Sequence, residues 1–439
     1  MNVFIPPSHN LFANFNPASD LVISGDKSLS HRAALFSALA EGESRITNFL
    51  NSGVTQVMLQ ALNDLGVKWV LNENTLTVAG KGLRGFVSPS SPLYCGHSAT
   101  TIRLLAGALA ACDIDVTLVG SDGLNKRPMG RIVEPLQTLG VDIHASPQGT
   151  APLVIKKQAA GKSITGGTIV LQQASAQVKT CVLLAGLSSS QALTIIEPGP
   201  SRDHSERMLR AMGACVEVDG LTIRMQPLTN PLIPLSIQLP GDFSAAAFLI
   251  VAALITPGSE IVLEGVGLNP RRTGLLDVLI EMGAHITVEV TGETAGEPVG
   301  HIHVVHSTLT GTTVQGDVVV RMIDEFPIFA VAAAYAQGET RVKDALELRY
   351  KESDRIKELC SQLSAIGVDI VETADGFVIQ GRGKVPGGTG ESKGDHRLAM
   401  SLAVAGLASE HGINVIDADM VTQSFPHFFE LLKQMGVKL

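Results

Sequence analysis

The chain has 439 residues, 45% hydrophobic and 17% charged, which is long enough for two or three packed domains and too apolar for a disordered polymer. With 33 Lys+Arg against 42 Asp+Glu the net charge is −9, which argues against a nucleic-acid or anionic-membrane binder and leaves room only for local basic pockets. The longest apolar run, Ala245 to Ile255, falls short of the roughly 20 residues of a membrane span, and the start MNVFIPPSHNLF lacks the basic-then-apolar layout of a secretory signal.

Along the chain one phrase, L-x-x-Φ-G-Φ, recurs six times, as LNDLGV, LQTLGV, LRAMGA, LIEMGA, LSAIGV and LKQMGV. Its glycines are Gly66, Gly140, Gly213, Gly283, Gly367 and Gly436, spaced by 69 to 84 residues. Glycine just past an apolar-periodic segment predicts a helix stop, because it accepts a left-handed backbone. The segments after three of these stops, VKWVLNENTLTVAG, ACVEVDGLTIRM and VDIVETADGFVIQG, each predict two alternating strands around a polar turn. Between 38 and 44 residues upstream of each glycine a small-residue phrase opens another helix. In order these are GDKSLSHR, GHSATTIR, SAQVK, GDFSAAAF, IDEFP and GDHRLAM. One repeating unit therefore reads helix, strand, helix, two strands.

The sixth copy stops short of its second strand, and the N-terminal pieces NVFI and DLVIS are expected to complete it. Six units then divide into two sets of three, residues 24–240 and residues 1–23 plus 241–439. The proline-rich PLIPLSIQLPGD serves as a crossing strand.

The opening phrases carry chemistry. A helix N-terminus offers unpaired N–H groups and a partial positive charge, and Gly, Ser and Asp cap it while allowing close approach of a ligand. The same phrases and their neighbours hold Lys27, Arg32, Arg103, Arg127, Lys179, Arg202, Arg349, Lys351, Arg355 and Arg397. Cations gathered at helix openings in an acidic chain point to small, highly charged anionic substrates. Asp242, Asp354 and Asp395 read as caps or partners of nearby arginines rather than catalysts. GKS at Gly161–Ser163 fails the phosphate-loop pattern, since Lys156 stands where a glycine is needed. HIHVVH (His301, His303, His306) reads as a half-exposed strand rather than a metal site. Five cysteines without a CxxC pair read as reduced thiols in a cytoplasmic protein.

GDKSLSHR, RPMGR, SAQVK, PSRDHSERM, GDFSAAAF, IDEFP, LRYKESDR, GDHRLAM and SFP appear in this order over essentially the whole chain. The set resembles the 5-enolpyruvylshikimate-3-phosphate synthase family, most specifically in KESDR and GDKSxSHR. The resemblance implies an α/β fold, a two-domain inside-out α/β prism in which each domain has three βαβαββ units with pseudo-threefold symmetry. The 24–240 domain would bind mainly shikimate 3-phosphate, and the other would carry the acid/base carboxylates. It also implies two domains that close on ligand. The implied reaction transfers the carboxyvinyl group of phosphoenolpyruvate to the 5-hydroxyl of shikimate 3-phosphate by addition and then elimination of phosphate. No metal or organic cofactor is implied. A cytoplasmic monomer is expected, with these two small molecules as its partners and neither nucleic acid nor membrane.

Carried over residue by residue, Lys27, Ser28 and Arg32 would bind the shikimate ring side, Lys27 also touching phosphoenolpyruvate and serving the chemistry. Ser175, Ala176, Gln177, Ser201 and Arg202 would hold shikimate 3-phosphate. Arg127, Arg355 and Arg397 would clamp phosphoenolpyruvate, with Gln177 contacting both ligands. Asp324 would accept the 5-hydroxyl proton, Glu352 would protonate the methylene, and Lys351 would pair with the shikimate hydroxyl and Asp324. Helix capping or salt bridging is the bland alternative for Asp324, Glu352, Ser28 and Ser201.

Three positions depart from the family pattern. His97, in Gly96–Thr100, replaces an asparagine near phosphoenolpyruvate. Val54 stands where an aspartate is usual, and Gln423 where some members have lysine. Ala99 replaces the glycine that gives the inhibitor glyphosate room in many members, so reduced glyphosate sensitivity is expected. These departures keep open a divergent paralogue that uses another hydroxylated acceptor, or a non-catalytic anion-binding protein. The sister family that uses UDP-N-acetylglucosamine generally depends on a reactive loop cysteine, and Cys95, Cys112 and Cys181 lie instead in apolar or small-residue stretches.

Overall fold

A computed structural model of the chain describes residues 1–17, 21–159 and 162–439. Asp20 of DLVIS and Gly161 of GKS lie outside the described residues. The chain divides into two compact units. The inserted unit is Gly25–Leu239 with Thr294–Glu297. The split unit is Met1–Ser24, Pro240–Glu293 and Pro298–Leu439. Each unit has its own hydrophobic core. The short segment Thr294–Glu297 goes with the inserted unit, which the sequence did not indicate. There Glu297 Oε1 lies 2.8 Å from His204 Nδ1, and the Gly296 carbonyl accepts from Arg207.

The repeat is visible in the sheets that the described residues form. The inserted unit has three four-stranded sheets, and each begins with a parallel pair and continues with two antiparallel neighbours. For example, Gly167–Val170 runs parallel to Leu193–Ile196, which pairs antiparallel with Thr222–Met225, and that strand with Val216–Asp219. The split unit has two four-stranded sheets and one of three strands. The paired strands expected after the helix stops are present at Lys68–Asn72 with Thr75–Lys81, Val216–Asp219 with Thr222–Met225, and Asp369–Glu372 with Phe377–Arg382.

In both units a remote segment completes a sheet. Val3–Ile5 pairs antiparallel with Ile413–Ile416, the place left open in the sixth copy. Ser236–Gln238, inside the proline-rich crossing, runs parallel to Arg45–Thr47. DLVIS corrects the expectation, because Leu21–Ser24 forms no strand. Instead Phe12–Phe15 runs parallel to Glu260–Leu263 in the fourth unit's sheet, with Phe15 fully buried. HIHVVH lies on a strand, Glu297–Val305, up to its last residue, His306, which follows the strand end; Ile302 and Val304 are buried and the three histidines half-buried. It has an acidic neighbour that the sequence did not suggest, since Glu260 Oε1 lies 2.7 Å from His303 Nε2.

Six helices follow the opening phrases: Lys27–Leu39, Ala99–Cys112, Ala176–Gly186, Phe243–Ile255, Phe326–Tyr335 and His396–Leu407. The three in the split unit are buried at every residue and pack on one another. A helix apolar on all sides is a helix with no solvent face, which is why FSAAAFLIVAALI and FPIFAVAAAY show no amphipathic stripe. The second helix of each unit, such as Gly53–Asp64 or His204–Ala211, keeps one polar face.

The recurring phrase has one structural cause. Its six glycines all have positive φ, from 84° to 105°. The N–H after each glycine bonds the carbonyl of the phrase's leucine, as in Val67 to Leu62 at 2.9 Å and Val437 to Leu432 at 3.0 Å. That is the Schellman closure, whose apolar contact joins the leucine to the residue after the glycine. Both positions are buried in all six copies, from Leu62 and Val67 to Leu432 and Val437.

Close helix packing rests on Gly107. A Cβ there would lie 2.0 Å from the Cys181 carbonyl oxygen, a backbone atom with no rotamer to yield. Where helices Lys27–Leu39 and Ala99–Cys112 begin, the buried His31 joins them. Its Nδ1 lies 2.8 Å from the Lys27 carbonyl and its Nε2 3.4 Å from Ser98 Oγ. A carbonyl only accepts, so Nδ1 carries the hydrogen and Nε2 is left to accept from the Ser98 hydroxyl. Burial, with the charges of Lys27 and Arg32, lowers the His31 pKa to about 4 against the pull of the Lys27 carbonyl bond.

Two outcomes are expected. Gly107→Ala gains about 1 kcal/mol of helix propensity but meets a clash of the kind that costs on the order of 1–3 kcal/mol or more. The urea midpoint should fall, and a midpoint at or above the parent's would contradict the packing argument. For His31, the unfolded ring titrates near 6.5 and the folded ring near 4. Between those values the unfolded chain binds the extra proton, so stability falls as pH is lowered, by up to about 1.4 kcal/mol per pH unit. His31→Gln should flatten that stretch of the stability curve, and equal slopes in parent and variant would sink the assignment.

Candidate functional site

The inserted unit presents the first turns of its three opening helices. Asp26 caps the first by accepting from Leu29 N at 2.8 Å, Ser98 the second from Thr101 N at 3.1 Å, and Ser175 the third from Val178 N at 3.5 Å. Lys27, Ala99 and Ala176 are thus the first helical residue in each case. Ser28 is half-buried, and its carbonyl accepts from Arg32 Nη1 at 3.0 Å. Gln177 bridges two of the helices, taking Arg103 Nη1 on Oε1 at 2.6 Å and donating to Thr100 Oγ1 at 3.0 Å. Arg127 is half-buried and follows the short 3-10 turn Leu124–Lys126. His97 is exposed, with Nδ1 2.8 Å from Ser121 Oγ, and Val54 lies in the first turn of Gly53–Asp64.

Arg32 is committed inward. It is 2% exposed, and Nε donates to Ser205 Oγ at 2.8 Å and Nη2 to Thr180 Oγ1 at 3.0 Å. Burial lowers its pKa to about 10, though Glu206 and Asp26 oppose this. Ser201 is also buried, and it caps no helix: its hydroxyl donates to Glu197. Arg202 follows it, half-buried. Beneath this turn sits Lys179, fully buried, with Nζ 2.7 Å from both Glu197 Oε2 and Glu206 Oε1. Sequence reasoning placed Lys179 among the cations but missed Glu197. Glu206 was visible only as part of PSRDHSERM.

The split unit gathers its carboxylates around one guanidinium. Arg355, 1% exposed, opens the helix Arg355–Ala365. Its Nε bonds Asp395 Oδ2 at 2.7 Å, Nη2 bonds Glu352 Oε2 at 2.6 Å, and Nη1 lies 3.5 Å from Asp324 Oδ1. Lys351 Nζ is 3.9 Å from Asp324 Oδ1. Arg397 Nη1 donates to the Asp324 carbonyl at 2.9 Å, and its Nη2 is 3.9 Å from Asp324 Oδ2. The expected residues Asp324, Lys351, Glu352, Arg355 and Arg397 are therefore linked by contacts of less than 4 Å. Asp324 and Glu352 keep 20% and 33% of their side-chain surface, so each retains an accessible face.

The electrostatics follow from burial and charge. Burial works against the Arg355 cation, but Asp395, Glu352 and Asp324 outweigh it and hold the pKa well above the usual guanidinium range. Burial also acts against the Asp395 anion, and Arg355 reverses it, leaving Asp395 below the usual carboxylate range. Burial pushes Lys351 down, opposed by Asp324. Asp395 caps His396–Leu407 through Arg397 N at 2.9 Å. Asp242 likewise caps its helix and pairs with Arg272 at 2.7 Å. Asp354 caps Arg355–Ala365 and pairs with Arg349 at 2.8 Å. All three aspartates are the caps and arginine partners that the sequence suggests. Among the described residues no His, Cys, Asp and Glu group has the arrangement of a metal site.

Comparison with known proteins agrees with these features. The profile of the family described as EPSP synthase (3-phosphoshikimate 1-carboxyvinyltransferase) matches residues 17–432. A 3-phosphoshikimate 1-carboxyvinyltransferase of Syntrophomonas wolfei is 46% identical over 418 residues, covering 95% of this chain and 96% of that protein. One from Geobacter sulfurreducens is 44% identical over 420 residues, covering 95% and 97%. Among solved structures, EPSP synthase from Acinetobacter baumannii superposes with a TM-score of 0.87 at 41% identity, covering 100% of this chain and 98% of that one. With a match over nearly its whole length, the chain belongs to the EPSP synthase family, the 3-phosphoshikimate 1-carboxyvinyltransferases.

Proposed function

We propose that the chain transfers the carboxyvinyl group of phosphoenolpyruvate to the 5-hydroxyl of shikimate 3-phosphate and releases phosphate. The observation that carries the reading is the Arg355 cluster, which brings Asp324, Glu352 and Lys351 together in a chain of this family. In this reading Asp324 accepts the 5-hydroxyl proton as the oxygen attacks the central carbon of phosphoenolpyruvate. Glu352 delivers a proton to the methylene carbon, giving a tetrahedral intermediate. The new methyl group then returns a proton to the Glu352 carboxylate as the C–O bond to phosphate breaks, the phosphate leaves with that electron pair, and the vinyl group is restored.

Lys351 beside Asp324 favours the charged carboxylate, the form a base needs. Arg355 fixes the Glu352 side chain through a charge-assisted bond. Arg127, Arg355 and Arg397 supply the positive charge that phosphoenolpyruvate requires. Lys27, Ser28, Arg32, Ser175, Ala176, Gln177, Ser201 and Arg202 serve shikimate 3-phosphate, with Lys27 and Gln177 shared by both ligands. Arg32 acts in this reading through its carbonyl and hydroxyl partners, since its nitrogens are held inside the unit.

The reading also carries a cytoplasmic, monomeric enzyme with low glyphosate sensitivity. No helix among the described residues is long and apolar enough to cross a membrane. Ala99 opens its helix directly after the Ser98 cap, and its methyl group occupies space a glycine would leave empty.

A phosphate-release assay with mass detection of the product tests the reaction. Release should require both substrates, and Asp324→Asn and Glu352→Gln should each lower kcat by about 10²–10⁴-fold with little change in thermal unfolding. Release without the acceptor, or variants as fast as the parent, would contradict the assignment. For the inhibitor, Ala99→Gly should lower the glyphosate inhibition constant by at least about tenfold, the scale of one displaced methyl contact. Equal constants for parent and variant would refute it.

A further inference from the structure

The inserted unit contains charges that the reaction does not use directly. Lys179 is in the third opening helix, one turn after its cap, and is fully buried. Its ammonium has three donors and meets three oxygens: Glu197 Oε2 at 2.7 Å, Glu206 Oε1 at 2.7 Å and the Ser201 carbonyl at 3.4 Å. Glu197, just past the strand Leu193–Ile196, takes the Ser201 hydroxyl on its other oxygen. The turn that carries Arg202 is therefore held at two atoms of Ser201, one by the lysine and one by its carboxylate partner.

Next to this, Arg32, Thr180 and Ser205 form a second polar layer. Arg32 bonds both hydroxyls, which lie 2.5 Å apart, and Thr180 Oγ1 donates to the Ala176 carbonyl at 2.6 Å. Lys179 and Arg32 offset Glu197 and Glu206, so the cluster is neutral as a whole. A buried ion group of this kind often stabilises a fold no more than an apolar replacement would, because each charge must be taken out of water. What it does supply is geometry. A cluster of this kind fixes the turn on which Arg202 follows Ser201 and adds no net charge of its own beneath it.

We propose that Lys179 and Glu197 are positioning residues that hold the Ser201–Arg202 turn for the phosphate of a phosphorylated acceptor, and so make the site discriminate against the unphosphorylated one. This rests on the reading of shikimate 3-phosphate as acceptor. Neither side chain touches the ligand. Both act through Ser201, whose turn carries the guanidinium. A simple stabilising role would weaken all ligands alike, whereas a positioning role weakens only what the phosphate adds.

Calorimetric binding of shikimate 3-phosphate and of unphosphorylated shikimate to the parent and to Glu197→Gln separates the two. The expected result is a dissociation constant for shikimate 3-phosphate at least about tenfold higher, with that for shikimate within twofold of the parent. Equal losses for both compounds, or no loss for either, would overturn the proposal. If Glu197→Gln does not fold, Glu197→Asp keeps the charge for Lys179 but is shorter by one methylene. The same selective loss is expected of it, and parent-like binding by folded Glu197→Asp would also overturn the proposal. A parent that binds shikimate 3-phosphate but releases no phosphate with phosphoenolpyruvate would defeat the proposed reaction and leave this comparison intact.

Discussion

A helix surrounded by apolar neighbours along its whole length can meet polar groups only at its ends. That constraint governs the opening helices. Phe243–Ile255, Phe326–Tyr335 and His396–Leu407 are buried at every residue, so their first N–H groups must be satisfied at the N-terminus. Asp242 and Asp395 do this with carboxylates, and Pro327 simply removes a donor. The same two aspartates then fix arginines, Arg272 and Arg355. Capping and charge placement are one device in this unit. In the inserted unit, Ser98 and Ser175 cap two of the three helices, and the first turns there remain free of fixed negative charge.

Such helices also explain how an acidic chain can host two polyanionic ligands. The net charge of −9 is spread over the whole sequence, while the groups that matter locally are paired in a low-dielectric setting. Arg355 carries three carboxylates, and Lys179 carries two. In the first case the arginine draws Asp324, Glu352 and Asp395 together. In the second the lysine neutralises carboxylates that would otherwise repel an anion. Overall charge says little about either.

Local chemistry was legible in the sequence, and non-local pairing only where the repeat demanded a strand. L-x-x-Φ-G-Φ could be read as a helix stop because all of its requirements, a leucine, a left-handed glycine and a following apolar residue, lie within six positions. The caps at Asp242, Asp354 and Asp395 were readable for the same reason. The N-terminal strands were only half right. NVFI pairs where the repeat demands a strand, but Phe12–Phe15 displaces DLVIS because its partner, Glu260–Leu263, is some 250 residues away. Glu197 carries no local signal at all. Its role emerges only when a strand end meets a helix and a turn. Arg32 was legible as a cation, whereas its inward commitment to Thr180 and Ser205 was not.

The way remote strands complete the sheets has a consequence for synthesis on the ribosome. Residues 25–239 include the strand Ser236–Gln238 that finishes their own first sheet, so all of this unit but Thr294–Glu297 is made before the stretch 240–439 of the other. In the other unit Val3–Ile5 precedes these residues in the chain, and its partner Ile413–Ile416 follows them. Val3–Ile5 must wait, unpaired, until that partner is made. Through that interval the nascent chain carries one nearly finished unit and one exposed β-edge, the stretch over which chaperone protection matters most.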